Sequence, residues 1–296
     1  MRVEVRLNGG LGNQLFEYFA GLIIADGDYS EVVLNYSRTM FIHDRIGIRA
    51  LHHGVAEQRD RLPTAGRVSA IDSRWMDWWG SVRHLNRSKE TAHIASLSEF
   101  TRVQGAAIGQ RMILEGDMAF GPIPSLAREQ GISTEMRLRN PTVWFERLAR
   151  EADKQRPVMV HVRRGDYKSN PQWGLLAADY YERAFDALGL SQGDSVWVFS
   201  DAPDEADQIV PLPRSIDKFV VKTPKESPAA ETMLLMTLGR GLVMANSTLS
   251  WWAGQMTDGP VIAPTPFYRL VPDAGRLCKP EIFLMYPNWA PVSVGW

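Results

Sequence analysis

The sequence predicts an α/β protein with doubly wound parallel sheets and two domains. Apolar strand-like runs alternate with helix-like stretches, several runs end in polar clusters, and the chain has 296 residues. Alternating strands and helices indicate parallel sheets in which the carboxyl ends of the strands share one edge. A chain of this length suits two domains, each with its own core and with a cleft between them. We expect these domains at 1–154 and 155–296.

The first expected unit is a strand, a glycine loop and a helix. An alternating strand runs from Arg2 to Leu7, the loop follows at residues 8–14, and apolar residues recur at helical spacing from Leu15 to Ile24. Such a loop presents backbone N–H groups at a helix N-terminus, where an anion or a sugar hydroxyl can bind. The third glycine of a dinucleotide fingerprint is missing, and a plain tight turn is the alternative. The candidate ligand contacts here are Gly10, Gly12 and Asn13.

Asp26-Gly27-Asp28 has the Asp-x-Asp spacing that metal-dependent sugar transferases use to hold a divalent ion. It follows the first predicted helix directly, and its glycine can end that helix. The sequence therefore favours an ordinary turn here, and we expect no metal.

Between Val32 and Asn140 the pattern is weaker, apart from a short strand at Val32 to Leu34. A dense aromatic patch in this region invites two interpretations. Aromatic faces stack on sugar rings, whereas tryptophans in globular proteins more often fill the core. The patch consists of Trp75, Trp78 and Trp79.

The second half begins with an apolar strand that ends in charge. The alternating valines from Val158 to Val162 lead into Arg163, Arg164 and Asp166. If the strand continues through Arg163, its two-residue period places His161 and Arg163 on one face and Arg164 on the other. A guanidinium fixed there suits a pair of phosphate oxygens, and a solvated surface pair is the alternative.

Three further apolar strands follow, and two of them also end in polar groups. Ser195 to Phe199 precedes Ser200-Asp201, Phe219 to Lys222 is the next strand, and Gly241 to Ala245 precedes Asn246-Ser247-Thr248. The intervening helix is expected to have Ser227 as its N-cap and Pro228 as its first residue, and the last helix to be capped by Ser247 or Thr248.

These clusters converge on one edge of a parallel sheet and fit a nucleoside diphosphate. Arg163 and the N–H groups near Ser247 and Thr248 suit the phosphates, and Asp201 suits the donor edge of a base or a ribose hydroxyl. Helix capping and ordinary surface polarity are the alternative explanation for each cluster alone.

Composition narrows the class of protein. A net charge of −1 argues against nucleic acid as a partner, and the single cysteine, Cys278, excludes an intrachain disulfide. No stretch approaches the roughly 18 uninterrupted apolar residues of a membrane span, and the N-terminus reads as an alternating strand without the long apolar core of a signal peptide. We expect a cytoplasmic protein, at most peripheral on a membrane.

Taken in order, the motifs resemble those of the α-1,2-fucosyltransferases of glycosyltransferase family 11. The resemblance rests on Gly9 to Phe16, His161 to Tyr167, Ser200-Asp201, Glu231 to Met236 with Ala245 to Trp252, and Tyr286 to Trp289. The segment Val55 to Arg139, where the resemblance implies that the acceptor is chosen, has no matching motif, and residues 24–29 follow the first helix sooner than in the family.

The resemblance implies a GT-B-type fold of two Rossmann-like domains, with the acceptor on the N-terminal side and GDP-β-L-fucose on the C-terminal one. It implies an inverting, metal-independent transfer to the 2-OH of a galactoside or to another sugar hydroxyl of an oligosaccharide or glycoconjugate, with no cofactor. Rival interpretations are another linkage, α-1,6 or protein O-linked, and an inactive nucleotide-sugar-binding protein.

The expected roles follow from the chemistry of inversion. Arg163 would stabilise the leaving phosphate. Asp166 is either the general base or an ion-pair partner of the arginines, and Asn13 would orient fucose or acceptor. His161 touches the donor or packs in the core, and Arg164 contacts the donor or supports those residues that do. The remaining donor-binding candidates are Ser200, Asp201, Asn246, Ser247, Thr248 and Ser250, with Gly10 and Gly12.

Overall fold

A computed structural model describes residues 2–35, 48, 51–53, 90–94, 97–104, 111–116, 118–269, 286 and 288–296. The tryptophan patch at Trp75, Trp78 and Trp79 and the single Cys278 lie outside these residues. The chain forms two compact units, Met1–Arg137 and Leu138–Trp296. The helix that precedes the expected boundary at 154/155 therefore belongs to the second unit. The assignment of acceptor and donor to the two halves stays a prediction.

The first unit contains a parallel sheet of four strands in the order β2-β1-β5-β4, and a two-stranded sheet that pairs β3 with β6. Its elements are β1 (Arg2–Arg6), α1 (Leu11–Ile24), β2 (Val32–Asn35), β3 (Leu51–His53), β4 (Glu90–Ile94), α2 (Leu97–Gln104), β5 (Arg111–Gly116), α3 (Ile123–Glu129) and β6 (Met136–Leu138).

Helix α1 begins at Leu11, one turn earlier than predicted. Gly10 is the N-cap. The Gln14 side chain donates from Nε2 to the Gly9 carbonyl at 2.9 Å, so this carbonyl just before the helix has a hydrogen-bond partner. Leu11 is buried and so belongs to the apolar face of the helix. Gly12 and Asn13 thus lie in the first turn of α1 and not in the loop before it.

The second unit contains six parallel strands in the order β12-β11-β10-β7-β8-β9. Its elements are α4 (Val143–Gln155), β7 (Val158–Val162), α5 (Ala178–Leu188), β8 (Ser195–Ser200), α6 (Pro203–Ile209), β9 (Asp217–Val221), α7 (Ala229–Met236), β10 (Gly241–Val243), α8 (Thr248–Met256), β11 (Val261–Thr265) and β12 (Trp289–Ser293).

This strand order reverses direction at one place. From β7 the chain winds outward through β8 to β9, then crosses back to β10 on the other side of β7 and continues to β11 and β12. That arrangement is the doubly wound nucleotide-binding order, and ligands of such sheets bind at the carboxyl ends of the two strands at the reversal. In this unit those strands are β7 and β10.

Two expectations about element ends are wrong for local reasons. Strand β7 ends at Val162, so Arg163 and Arg164 lie in the turn after the strand and do not alternate across the sheet. Helix α7 begins at Ala229 with Pro228 as its N-cap, because Pro228 adopts an extended ψ of 148°. Ser247 caps α8, as predicted, through a hydrogen bond from the backbone N–H of Leu249.

The C-terminal segment packs against α8. The rings of Tyr286 and Trp289 lie 5.6 and 5.7 Å from the ring of Trp251, which is buried. In the described ranges, no helix combines the length and the apolar character that a membrane crossing requires.

Candidate functional site

The candidate site lies where β7, β8 and β10 end in the second unit. Val243 of β10 pairs with Val160, and Ser200 of β8 pairs with Val162. Asn246 comes three residues after Val243, and Arg163 comes three residues after Val160. Asp201 follows Ser200 directly. The registers therefore bring the three polar clusters predicted from the sequence to the same edge of the sheet.

Arg163 is held by two carboxylates. Its NH2 donates to Oδ1 of Asp166 at 2.6 Å, and its NH1 lies 3.1 Å from Oδ2 of Asp201. The guanidinium carbon lies 5.5 Å from the ring centroid of Tyr167. The side chain is nevertheless 31% exposed, and a guanidinium offers five N–H donors. Arg163 is therefore oriented and still accessible to an anion.

Arg164 has a different environment, because its side chain is buried. Its Nε lies 3.2 Å from Oε1 of Glu205, which also pairs with Lys168. Its backbone N–H donates to Oδ1 of Asp201 at 2.9 Å. Since a buried charge needs a partner, Glu205 compensates Arg164 from α6. The geometry supports the alternative in which Arg164 stabilises the turn, and its contact with the donor stays a prediction.

Asp201 joins the two turns at the edge of the sheet. One oxygen accepts from the backbone of Arg164 and the other lies against the guanidinium of Arg163. Gly165 faces the same carboxylate, and a Cβ at this position would collide with Oδ2 of Asp201. In this structure Asp201 therefore fixes the Arg163 turn. Its recognition of a guanine edge stays a prediction.

His161 is buried in β7 with 4% of its surface exposed. Burial and the nearby Arg163 charge lower the pKa of His161 to about 3, so the imidazole is neutral at physiological pH. Its Nδ1 has no hydrogen-bond partner among the described residues. A neutral ring can donate or accept a hydrogen bond, but it gives no cationic contribution to phosphate binding.

Asn246 connects the end of β10 to the segment after β7. Its Nδ2 donates to the carbonyl of Trp173 at 2.6 Å, and its own backbone carbonyl accepts from the Tyr167 hydroxyl at 2.7 Å. Both amide hydrogens are directed at carbonyls, because Nδ2 also lies 3.2 Å from the carbonyl of Gly174. Oδ1 of Asn246 is buried and lacks a partner among the described residues.

Most of the serine and threonine hydroxyls predicted to bind the donor form hydrogen bonds with the backbone. Oγ of Ser200 accepts from the N–H of Ala202 at 3.0 Å, and Ser247 is the N-cap of α8. Ser250 is fully buried and donates its hydroxyl to the carbonyls of Ala245 and Ser247. Thr248 opens α8 and is partly exposed. Donor binding by these four residues stays a prediction.

The N-terminal loop belongs to the first unit. Gly9 has φ +67°, and a Cβ there would meet the Asn13 side chain, so this position favours glycine. Buried Glu17 reaches back to accept from the N–H of Asn8 at 2.8 Å. Asn13 is partly exposed at the start of α1, next to Gly10 and Gly12.

Asp26-Gly27-Asp28 forms the turn that the sequence favours. Asp26 and Gly27 both have positive φ, and Oδ1 of Asp28 accepts from the N–H and hydroxyl of Ser30. These hydrogen bonds lower the pKa of Asp28. No group of three or more His, Cys, Asp or Glu side chains suited to a metal ion occurs in the part of the chain that the structure describes.

Several residues of the site have no signal in the sequence alone. Glu205 contacts Arg164 although it lies 41 positions further along the chain. Tyr167 lies inside the arginine motif, but its hydrogen bond to Asn246 depends on the pairing of β7 with β10. Such contacts become visible only when strand order and register are known.

Comparison with known proteins gives a family match. The sequence matches the family described as Glycosyl transferase family 11 over residues 143–291, which is half of the chain. It is also 33% identical, over 117 residues, to the O-antigen biosynthesis glycosyltransferase WbnK of Escherichia coli. That match covers 37% of this chain and only 38% of WbnK.

Solved structures with similar folds include two glycosyltransferases. Fucosyltransferase NodZ from Bradyrhizobium superposes with a TM-score of 0.50 at 14% identity, covering 86% of this chain and 91% of NodZ. A glycosyl transferase family 9 protein from Veillonella parvula gives a TM-score of 0.54 at 9% identity, covering 99% of this chain and 86% of that protein. With the two parallel sheets, these likenesses confirm the α/β fold of the GT-B type with Rossmann-like units.

Proposed function

Because the chain belongs to glycosyl transferase family 11, we propose that it transfers L-fucose from GDP-β-L-fucose to the 2-OH of a galactoside. The acceptor would be an oligosaccharide or glycoconjugate, and the new linkage would be α-1,2. The name of the E. coli relative supports a glycan acceptor, and the activity named for NodZ supports fucose as the sugar transferred.

One observation carries the proposal. Arg163 lies at the reversal of strand order, oriented by Asp166 and Asp201 and still exposed to solvent. Doubly wound sheets bind nucleotides at that place, and guanidinium groups bind phosphate oxygens in pairs. The N-terminus of α8 lies at the same edge and can donate backbone N–H groups to an anion.

The proposed reaction is an inverting displacement. The acceptor oxygen attacks the anomeric carbon of fucose from the face opposite GDP, so that one C–O bond forms while the bond to the β-phosphate breaks. GDP leaves with the bonding electron pair, and Arg163 with the N–H groups of α8 stabilises the charge that develops on the β-phosphate. No metal or cofactor takes part.

The acceptor proton must be accepted by a base, and we assign this role to Asp166. Its side chain is 51% exposed and hydrogen-bonds Arg163. A phosphate that binds Arg163 would compete with this contact and leave the Asp166 carboxylate available to the acceptor hydroxyl. Asn13, from the first unit, would orient fucose or acceptor.

The donor is tested first, because this test needs no acceptor. The melting temperature is measured with GDP, UDP, ADP and CDP at equal concentrations, and GDP is expected to raise it most through preferential binding to the folded state. Equal shifts for all four nucleotides, or a preference for UDP, would contradict the proposed donor.

Linkage is tested by incubating the protein with GDP-fucose and a galactoside and analysing the product. An α-1,2-linked product is expected. An α-1,6 product would retain the fucosyltransferase assignment and correct the linkage. A protein that binds GDP but forms neither a fucosylated product nor free GDP from GDP-fucose would be a nucleotide-sugar-binding protein without transferase activity.

A further inference from the structure

We propose that Tyr167 is a positioning residue for the transfer reaction, holding the Arg163 guanidinium in place at the edge of the second sheet. The proposal rests on the proposed function. The guanidinium carbon of Arg163 lies 5.5 Å from the centroid of the Tyr167 ring, a separation at which the ring face attracts a cation. Asp166 and Asp201 fix the nitrogens of Arg163, and the Tyr167 ring lies under its guanidinium carbon.

The Tyr167 ring is itself fixed from two directions. Its hydroxyl donates to the backbone carbonyl of Asn246 at 2.7 Å, and its ring centroid lies 4.8 Å from that of Trp173. The Trp173 carbonyl in turn accepts from the side chain of Asn246. Three residues thus form a closed set of contacts between the segment after β7 and the end of β10.

The hydroxyl is a hydrogen-bond donor at neutral pH, as in any tyrosine, and burial raises the pKa of Tyr167 further above its ordinary value. Only 8% of the residue is exposed, so its polar contact with Asn246 is screened from water. Loss of this hydrogen bond would release the ring, and with it one support of Arg163, while leaving Arg163, Asp166 and Asp201 unchanged in sequence.

Tyr180 offers a matched control. Its hydroxyl donates to the carbonyl of Met244, also at 2.7 Å, two residues before Asn246. It is 1% exposed, and its ring packs edge-on against Tyr181 instead of supporting a guanidinium. Replacement of either tyrosine by phenylalanine therefore removes a buried hydrogen bond to a backbone carbonyl. At Tyr167 it also removes a hydrogen bond with the Tyr268 side chain, and only Tyr167 adjoins Arg163.

The experiment compares Tyr167→Phe with Tyr180→Phe. Urea unfolding, GDP affinity by calorimetry and kcat/KM for fucose transfer to a galactoside are measured for both variants. Both are expected to lose stability. Tyr167→Phe is expected to lower GDP affinity and kcat/KM by roughly five- to tenfold, the effect of one buried hydrogen bond, and Tyr180→Phe to leave both nearly unchanged. Equal functional losses in the two variants would overturn the proposal.

A double-mutant cycle with Arg163→Lys tests whether Tyr167 acts through Arg163. Lysine keeps the charge but lacks the planar guanidinium, so Tyr167→Phe should reduce GDP affinity less in this background than in the wild type. Tyr167→Leu, which also removes the ring, should show the same dependence with a larger loss. Multiplicative effects in both cycles would exclude a role through Arg163.

The same measurements distinguish failure of this proposal from failure of the proposed function. A wild-type protein that neither binds GDP nor transfers fucose would overturn both. A wild-type protein that does both, with multiplicative cycles, would overturn the role of Tyr167 alone.

Discussion

The side chain of Arg163 is held on three sides, by Asp166, Asp201 and the ring of Tyr167. Orientation of this kind lowers the entropy that the guanidinium loses when it binds a phosphate. The neighbouring Arg164 has the same chemistry but is buried against Glu205. Position in the turn, and not residue type, therefore separates the two arginines into a candidate ligand contact and a structural cation.

Replacement of Arg163 by alanine should strongly reduce transfer while the fold is retained. Removal of a preorganised donor from a developing oxyanion typically costs about 3 kcal/mol, or roughly a hundredfold in kcat. The measurement is kcat for fucose transfer, with circular dichroism to verify folding. Arg150→Ala is the matched control, because Arg150 is 67% exposed on α4 and only loosely paired with Glu146. Activity of Arg163→Ala close to that of the control would remove Arg163 from the mechanism.

Because His161 is buried in its neutral form, the protein should be less stable in mild acid than at neutral pH. Its folded-state pKa is lowered to about 3 by burial and by Arg163, whereas histidine in the unfolded chain binds the proton with its ordinary pKa of 6.5. Below pH 6.5 the unfolded state therefore takes up a proton that the folded state excludes, and the free energy of unfolding falls by up to about 1.4 kcal/mol per pH unit.

The measurement is urea unfolding of the wild type and His161→Asn at pH 7.5 and 5.0. Asparagine does not titrate, so its variant should lose less stability over this interval, by about 2 kcal/mol at most. Equal losses would show that His161 is protonated in the folded protein and that its burial is weaker than the structure indicates.

At the scale of the elements, a buried carboxylate joins the start of α4 to α7 within the second unit. Glu231, in the first turn of α7, is fully buried and accepts from the backbone N–H and the hydroxyl of Thr142, at 2.7 and 2.8 Å. Thr142 is the N-cap of α4. The carboxylate also lies where a negative charge is favoured by the helix dipole. Glu231 thus joins the start of one helix to the start of another.

Glu231→Gln should therefore destabilise the protein. Glutamine keeps the shape but presents an NH₂ group in place of one acceptor, so one of the two donors of Thr142 loses its partner, at a cost of about 1 to 3 kcal/mol. The free energy of unfolding in urea measures this cost. Glu146→Gln, on the exposed side of α4, should change stability by less than about 0.5 kcal/mol. A comparable effect for the two variants would contradict the importance of the Glu231 contacts.

Local sequence signals predicted those elements whose boundaries are set locally. Ser247 or Thr248 was predicted as the cap of α8, because a capping hydroxyl acts on the N–H groups of its own helix, and Ser247 is the cap. The start of α1 was missed because it depends on the conformation of Gly10 and a side-chain contact of Gln14. Contacts such as Glu231 with Thr142, 89 positions apart, depend on tertiary packing and leave no local pattern.

At the scale of the whole molecule, the sequence predicted two α/β units because alternation and length are global properties of the chain. It also predicted which clusters meet in the second unit, since parallel strands bring their carboxyl ends to one edge. The pairing of Asp166 with an arginine was one of the alternatives from the sequence, whereas the pairs with Asp201 and Glu205 depend on tertiary contacts and were not predictable. Arg163, Arg164 and Lys168 are paired there with Asp166, Asp201 and Glu205, so a diphosphate would have to compete with carboxylates for Arg163.

The cation and the N–H groups at this edge also lead to a prediction about divalent metal ions. If Arg163 and the N–H groups of α8 stabilise the leaving diphosphate, transfer should not need a divalent cation. The Asp-x-Asp segment offers little to one, because Oδ1 of Asp28 accepts two hydrogen bonds from Ser30. The rate of fucose transfer is therefore expected to be unchanged after dialysis against EDTA. Loss of transfer that Mn²⁺ alone restores would contradict this, and Asp26→Asn and Asp28→Asn would then show whether this segment binds the ion.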